Sequence, residues 1–260
     1  MKEDERYIGS LGNRPCPMGC IYCFVENENY KGISKIDSKD RIEIDTEAKI
    51  IQPSCDVEFF LIENWEKKLK DLGTHQKSIS FATKAKLSNR SIKQIALLND
   101  KLQSYGELIN IAVSLTSFRV DWKEIEHFTP SPDERLKTLK QLYKAGIKTT
   151  VAIRPLLPFL TTEDLIDLVE KTYKFTFGYL LGPLYLTPRM KNYLIKKGEY
   201  YQVLSKKVSW LPIKTELEYI QSIHLEEDIK GLSKKYNLPV FENNIEAVKY
   251  VKKISQPPIE

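Results

Sequence analysis

The strongest constraint on the fold is a regular alternation of strand-like and helix-like segments between residues 78 and 181 of this 260-residue sequence. The strand patterns are short β-branched and apolar runs, and the helix patterns carry an apolar stripe. Such alternation is typical of parallel βαβ units, and about six units fit before residue 182. The sequence therefore predicts an α/β fold, a partial (β/α)6 TIM-like barrel of parallel strands. The predicted strands are 7–11, 48–52, 78–83, 108–115, 148–153 and 177–181, and the predicted helices are 59–72, 91–102, 131–145 and 161–173.

Beyond Gly182-Pro183 the alternation loosens. Residues 1–182 are therefore predicted to form the barrel, and residues 183–260 a C-terminal α/β extension. We expect this extension to cap the barrel and to shape the substrate site. Its predicted helices are 188–197, 225–236 and 245–254, with a short strand at 239–241 and an aromatic, basic segment at 200–210.

Three cysteines, Cys16, Cys20 and Cys23, lie close together directly after the first predicted strand. Pro17 and Gly19 keep the segment out of a regular helix, so we expect a loop on which the three thiolates converge. Three thiolates fit a metal or cluster that still needs a fourth partner. A cubane iron–sulfur cluster held in this way has one iron without a protein ligand, which is open to a substrate or cofactor.

The same cysteines are also compatible with most of a structural zinc site, with Cys55 or His75 as the fourth ligand. That alternative belongs to another class, a zinc-binding nucleic-acid module without catalysis. A disulfide framework does not fit four cysteines in 260 residues. Free cysteines indicate a reducing, cytoplasmic setting.

The composition is that of an ordinary soluble protein, with 42% hydrophobic and 29% charged residues. No apolar run approaches the length of a membrane span, and the charged first residues are not followed by a signal segment, so we expect no membrane partner. The net charge of +5 permits a nucleic-acid partner without requiring one. Lysines and tyrosines cluster between residues 185 and 210, although Glu216 and Glu218 dilute that basic patch.

The Cys-x3-Cys-x2-Cys spacing, with Tyr22 directly before the third cysteine, resembles the radical S-adenosylmethionine (SAM) superfamily. The resemblance implies a 4Fe-4S cluster on Cys16, Cys20 and Cys23, with SAM bound at the open iron. It implies that reduction of the cluster cleaves SAM and yields a 5′-deoxyadenosyl radical, which abstracts a hydrogen atom from a substrate. An electron donor such as flavodoxin or ferredoxin would supply the reducing electron.

Within that superfamily the sequence is similar to the spore photoproduct lyase group, over roughly residues 7–186. The resemblance implies that Lys84 and Ser114 contact SAM, that Asp56 does so as well, and that Tyr22 packs near the adenine. Arg154 brings a fixed positive charge to the end of the fifth strand, and we count it among the cofactor-binding residues. The motifs that carry the similarity are Cys55-Asp56, Ala82-Thr-Lys84, Val113-Ser-Leu115, His127-Phe-Thr-Pro130 before Arg135-Leu136, Ala145-Gly-Ile147 and Pro155.

Cys55 occupies the place where the lyase group keeps a hydrogen-atom donor, which makes it the predicted catalytic residue. The alternative is a small side chain buried near a strand end. Phe24 follows the third cysteine, where the lyase group has a tyrosine. The resemblance and the basic helices favour a nucleic acid or nucleotide as substrate, with a small molecule or a peptide as the alternative.

Overall fold

The computed structural model describes residues 5–11, 16–27, 29–30, 32, 42, 44, 47–118, 122–208 and 215–255. Ten strands lie in these residues and form two sheets. The strands are β1 (Arg6–Ile8), β2 (Ile50–Gln52), β3 (Ser78–Thr83), β4 (Ile109–Ser114), β5 (Lys148–Ile153), β6 (Tyr179–Leu181), β7 (Leu184–Tyr185), β8 (Leu204–Val208), β9 (Thr215–Ile220) and β10 (Val240–Phe241).

The larger sheet has seven parallel strands in the order β1-β2-β3-β4-β5-β6-β10, which confirms the predicted α/β partial barrel. The helices that connect these strands pack their apolar stripes on its outer face. The helices of the described chain are α1 (Trp65–Gly73), α2 (Asn89–Gln103), α3 (Trp122–Ile125), α4 (Pro132–Lys144), α5 (Thr162–Thr172), α6 (Pro188–Lys196), α7 (Ile223–Lys235) and α8 (Asn244–Ser255).

Helix starts follow local capping chemistry. Ser131 and Thr161 each cap a helix, α4 and α5, in a reciprocal capping box. Ser88 caps α2, which therefore begins at Asn89, two residues before the predicted start at residue 91. The helix predicted at 59–72 begins only at Trp65, because Phe59–Leu61 forms a separate 3-10 turn.

The last strand and helix complete the barrel. β10 joins the sheet beside β6, where Tyr179 N donates to Pro239 O at 3.0 Å. Helix α8 then packs against the inner face of the sheet, with Ala247 against Ala112 and Ala152. These small side chains let the helix approach the strands closely. The ion pair of Lys252 with Glu107 at 2.7 Å fixes the helix near the start of β4, so α8 fills the amino-terminal half of the concave face.

The smaller sheet is antiparallel, in the order β7-β9-β8, and packs against the cysteine loop. Its inward side chains Val208 and Leu217 form a cluster with Tyr30, against which Phe24 also packs. Thr187 caps α6 and its hydroxyl also donates to Ile21 O, which ties this region to the loop. No helix among the described residues is long and apolar enough to cross a bilayer.

Candidate active site

The cysteine loop is held in place by the segment that follows α3. Ile21 N donates to Ile125 O at 2.9 Å, Phe128 N donates to Met18 O at 3.2 Å, and Cys20 forms an antiparallel bridge with Glu126. Gly19 turns the loop with a φ of +64°, and a Cβ at this position would lie 2.9 Å from the Phe128 ring. Glycine is therefore required at this turn both by its backbone conformation and by the packing.

The three cysteines come together at the carboxyl end of the sheet, Cys20 buried and Cys16 and Cys23 half-buried. Burial raises the pKa of Cys20 to about 12 and also raises the pKa of Cys23, whereas the charge of Lys84 lowers both. Cys20 and Cys23 are therefore protonated at neutral pH when no metal is bound, and binding of iron would release their protons.

The zinc-site alternative is not supported by this geometry. His75 Nε2 donates to Ile42 O at 3.0 Å, and the residue lies just before β3. In a parallel sheet that edge is opposite to the one where the cysteine loop follows β1, so His75 is not near the three thiols. Within the described ranges, no group of three or more His, Cys, Asp or Glu side chains, the loop thiols included, already has metal-ligating geometry, so ligation of zinc or of iron would require these thiols to move closer together.

A buried ion pair that the sequence analysis missed stands behind the loop. Glu126 Oε2 lies 2.6 Å from a guanidinium nitrogen of Arg135, and neither side chain is exposed to solvent. The Tyr22 hydroxyl donates to Glu126 Oε1, and the Thr129 hydroxyl donates to Oε2 at 3.2 Å. Burial on its own would raise the pKa of this carboxyl, but the charges of Arg135 and Lys84 and the hydrogen bond from Tyr22 hold it below its ordinary value.

Lys84 lies directly beside the cysteines. Its Nζ is 5.5 Å from the centroid of the Tyr22 ring. Burial would lower the pKa of this ammonium, but nearby Cys20 and Glu126 raise it, and the net shift is upward. The backbone N of Lys84 donates to Glu58 Oε2 at 2.9 Å, which fixes the end of β3. Lys84 thus presents a permanent positive charge next to the three thiols.

Two features of the concave face fit a bound cofactor. The Ser114 hydroxyl at the end of β4 is buried and finds no hydrogen-bond partner among the described residues. Such a group is costly unless a ligand or water satisfies it. Ala82 is exposed although β3 is paired on both sides, so this part of the inner face is open to solvent. A polar cofactor beside the thiols would satisfy Ser114 and cover Ala82.

Asp56 and Cys55 lie at the end of β2. The buried Asp56 carboxylate accepts from Ser10 Oγ at 2.7 Å and from the Tyr30 hydroxyl at 3.2 Å, so both of its oxygens serve the loop structure. Cys55 packs on the cluster that contains Tyr30, beside Tyr185. Its dense surroundings raise the pKa of Cys55 to about 12, so it carries its S–H proton at neutral pH.

Arg154 is fixed on a different side of the barrel mouth. Its Nε donates to Leu181 O at 2.8 Å and its terminal nitrogen donates to Glu242 O at 2.6 Å. The charges that influence it most include those of Tyr185, Arg6 and Cys55. The predicted site residues therefore separate into two groups, one around the loop cysteines and Lys84 and one around Cys55 and Arg154.

Comparison with known proteins agrees with this architecture. The chain is 31% identical over 134 residues to the uncharacterized protein MJ0683 of Methanocaldococcus jannaschii, covering 49% of this chain and 50% of that protein, so it spans about half the length of this curated relative. A variant of spore photoproduct lyase solved with dinucleoside spore photoproduct superposes with a TM-score of 0.56 at 12% identity, over 91% of this chain and 81% of that one. Streptococcus suis SuiB bound to S-adenosylmethionine superposes with a TM-score of 0.53 at 12% identity, over 92% and 50% of the respective chains. At such low identity these likenesses show a shared fold.

The family itself is shown by a longer match. The Radical SAM superfamily model matches residues 13–172, from the cysteine loop through α5. That range contains the three loop cysteines and the ends of β2 to β5, where the candidate site lies. The expectation of a radical SAM enzyme is thus confirmed at the level of the family: this chain belongs to the radical SAM superfamily.

Proposed function

We propose that this protein is a radical SAM enzyme in which Cys16, Cys20 and Cys23 ligate a 4Fe-4S cluster. The observation that carries the proposal is the meeting of three thiols, a charged lysine and an unsatisfied buried hydroxyl at one end of a parallel partial barrel. When bound, the cluster and SAM supply one-electron cleavage of the cofactor and hydrogen-atom abstraction from a substrate. The protein holds and shields that chemistry.

The residues around the loop have distinct proposed roles. The Lys84 ammonium would pair with the carboxylate of SAM, and the Ser114 hydroxyl would donate to a polar group of the cofactor. The Tyr22 ring, oriented by its hydrogen bond to Glu126, would pack near the adenine. Asp56 is assigned a positioning role, because its oxygens are engaged by Ser10 and Tyr30.

Cys55 is the proposed hydrogen-atom donor. Its elevated pKa supports this role, because a donor must keep its S–H bond at neutral pH. Phe24, which follows the third cysteine, has no O–H to relay a hydrogen atom. The donor reaction therefore rests on the thiol alone in this proposal, and the reaction need not be that of the lyase.

We further propose a nucleic acid or nucleotide as substrate, and flavodoxin or ferredoxin as the electron donor. A solved structure with the same fold carries a dinucleoside lesion, which makes nucleic acid the first class to test. We propose that the sheet formed by β7, β8 and β9 shapes the substrate site; the packing of its Val208 and Leu217 on Tyr30 supports this role.

The direct test is anaerobic reconstitution with iron and sulfide. The enzyme is expected to turn brown, to lose that colour in air, and to release 5′-deoxyadenosine from SAM when a reductant is added. Cys23→Ala should lose the iron and the SAM cleavage, whereas Cys55→Ala should keep its iron. A colourless zinc protein, or a Cys23→Ala variant with unchanged iron and SAM cleavage, would overturn the proposal.

A further inference from the structure

We propose that a cationic, tyrosine-lined wall at the barrel mouth binds the phosphodiester and bases of a single-stranded nucleic-acid substrate. This inference rests on the proposed function and identifies the surface that would bind its substrate. The wall joins the carboxyl ends of the parallel strands to the antiparallel sheet. It consists of Arg6, Arg154, Tyr185, Lys206 and Tyr219.

Arg154 is preorganised for an anion. Its side chain lies flat over Gly182, where an added Cβ would be 2.5 Å from Arg154 Nε and 2.9 Å from Cγ. The carbonyls of Leu181 and Glu242 hold two of its nitrogens, yet the residue remains exposed. A guanidinium carries five N–H donors, so several still face the solvent. Because the side chain is already ordered, binding an oxyanion costs it little further entropy.

A second guanidinium stands close by. Arg6 begins β1, and its side chain extends along the sheet to donate to Gln52 Oε1 at the end of β2, at 3.2 Å. The Arg6 guanidinium lies near enough to Arg154 for the two positive charges to repel each other. The Glu246 carboxylate of α8 offsets part of the Arg154 charge. The Glu246 oxygens already accept from Glu242 N and Asn243 Nδ2. A phosphate between the two guanidinium groups would relieve their repulsion, which favours a phosphodiester over a neutral substrate.

The alternation of side chains along β9 places its acidic residues on the face opposite to the wall. On β9, Leu217 and Tyr219 face inward, whereas Glu216 and Glu218 are exposed on the outer face. Glu218 is paired there with Lys191 of α6. The acidic residues that dilute the basic patch in the sequence therefore point away from the wall.

The inner face of this sheet is aromatic and cationic. Tyr185 and Tyr219 are paired across β7 and β9, with ring centroids 6.4 Å apart. Lys206 Nζ lies 4.6 Å from the centroid of Tyr219 and 5.5 Å from that of Tyr185. Tyrosine rings beside lysine and arginine are the surface on which bases of single-stranded nucleic acid stack.

The wall also reaches the proposed hydrogen-atom donor. Tyr185 and Cys55 pack on the same apolar cluster, and the charge of Arg154 influences Cys55. A phosphate held by Arg154 would therefore bring the adjoining nucleoside next to the thiol.

The test uses the cluster-reconstituted enzyme with SAM and a fluorescein-labelled oligothymidylate of ten nucleotides, followed by fluorescence anisotropy. Arg154→Met and Lys206→Met should each weaken binding about 10-fold and reduce the salt dependence by about one phosphate contact. Lys191→Met removes the same charge from the outer face and should change affinity less than about 2-fold. The thermal midpoint of each variant shows whether the fold is retained. Arg154→Met also removes hydrogen bonds to two backbone carbonyls, so its effect on the fold must be separated from its effect on binding. Lys206→Met serves this purpose, because Lys206 bonds to no backbone carbonyl in the described residues.

Two results would overturn the inference. One is equal affinity of all three variants and the unsubstituted enzyme for the oligonucleotide. The other is binding of a hexaglutamate peptide without binding of oligothymidylate, which would assign the wall to carboxylates of a peptide. Release of 5′-deoxyadenosine by the unsubstituted enzyme without nucleic acid is measured in parallel. If that release occurs and oligothymidylate does not bind, the inference fails while the proposed function stands.

Discussion

Replacing Glu126 by glutamine is expected to destabilise the protein strongly, although the two side chains have nearly the same shape. Glutamine has a single amide oxygen, which can accept either from Tyr22 or from Thr129 and Arg135, and its NH2 group faces the remaining donors. The substitution therefore removes the charge that faces Arg135 together with at least one hydrogen bond. Removing one partner of a fully buried ion pair leaves the other charge uncompensated and costs about 3–5 kcal/mol. A domain of this kind is stabilised by about 5–15 kcal/mol in total. At about 2–4 °C per kcal/mol, the thermal midpoint should fall by roughly 6–20 °C.

The measurement is urea and thermal unfolding of the metal-free protein under reducing conditions. Glu124→Gln is the matched control, because Glu124 lies two residues away and forms an exposed pair with Lys197 at 2.8 Å. Its midpoint should hardly change, since exposed ion pairs add little. Adding Arg135→Met to Glu126→Gln should recover part of the loss, because it removes the stranded charge. A loss for Glu126→Gln no larger than that for Glu124→Gln would refute the reasoning.

The same carboxyl gives a pH signature. Its pKa is lower in the folded state than in the unfolded state, so its stabilisation is present above the unfolded value of about 4.3 and is lost as pH falls through the folded pKa. Glu126→Gln should lack that part of the acid dependence, so its stability relative to the unsubstituted protein should improve at low pH. If the stability of both proteins fell in the same way as the pH is lowered, the lowered pKa assigned to Glu126 would be contradicted.

Three further changes test the site. Lys84→Ala should weaken SAM binding by about 10-fold or more in equilibrium dialysis, because a charge-assisted contact is lost, while iron content stays unchanged; unaltered affinity would remove Lys84 from the cofactor site. Gly19→Ala should lower the iron content. It should also lower the free energy of unfolding by more than Gly106→Ala does. Both glycines have positive φ, but only a Cβ at position 19 would meet another residue, the Phe128 ring, so equal losses would rule out that clash. Cys55 should react slowly with iodoacetamide at pH 8 in the folded metal-free protein and faster as pH rises, as followed by mass spectrometry, because its surroundings raise its pKa to about 12. Rapid alkylation at pH 8 would contradict the raised pKa.

The central strands were predictable because their sequences leave few alternatives. β3 and β5 have the predicted bounds, 78–83 and 148–153. Both are short runs of β-branched and apolar residues between polar or glycine-containing segments. β8 and β9 were not predicted. Each has one face turned to solvent, and residues such as Lys207 and Glu216 make the segments look like polar surface. Strands that are half polar give a weak signal in a single sequence.

Within the site, the cysteines, Lys84 and Ser114 were identifiable because they follow predicted strands at the edge where such barrels carry function. Glu126 and Arg135 were not. They lie nine residues apart among other charged residues, and nothing local separates a buried pair from an exposed one. Their role depends on α4 packing behind the loop, which only tertiary structure reveals.

The position of α8 inside the barrel has a consequence for how the protein matures. Val248 packs against Leu108 and Ile50, so the floor of the cavity is made by a helix about 200 positions along the chain from β2. Contacts of such long sequence separation form slowly and late during folding. The thiols near the amino end thus emerge from the ribosome well before the chamber that shelters them can close. In the proposed enzyme, iron delivered before α8 docks would be exposed to solvent, so we expect cluster insertion to follow the docking of this helix.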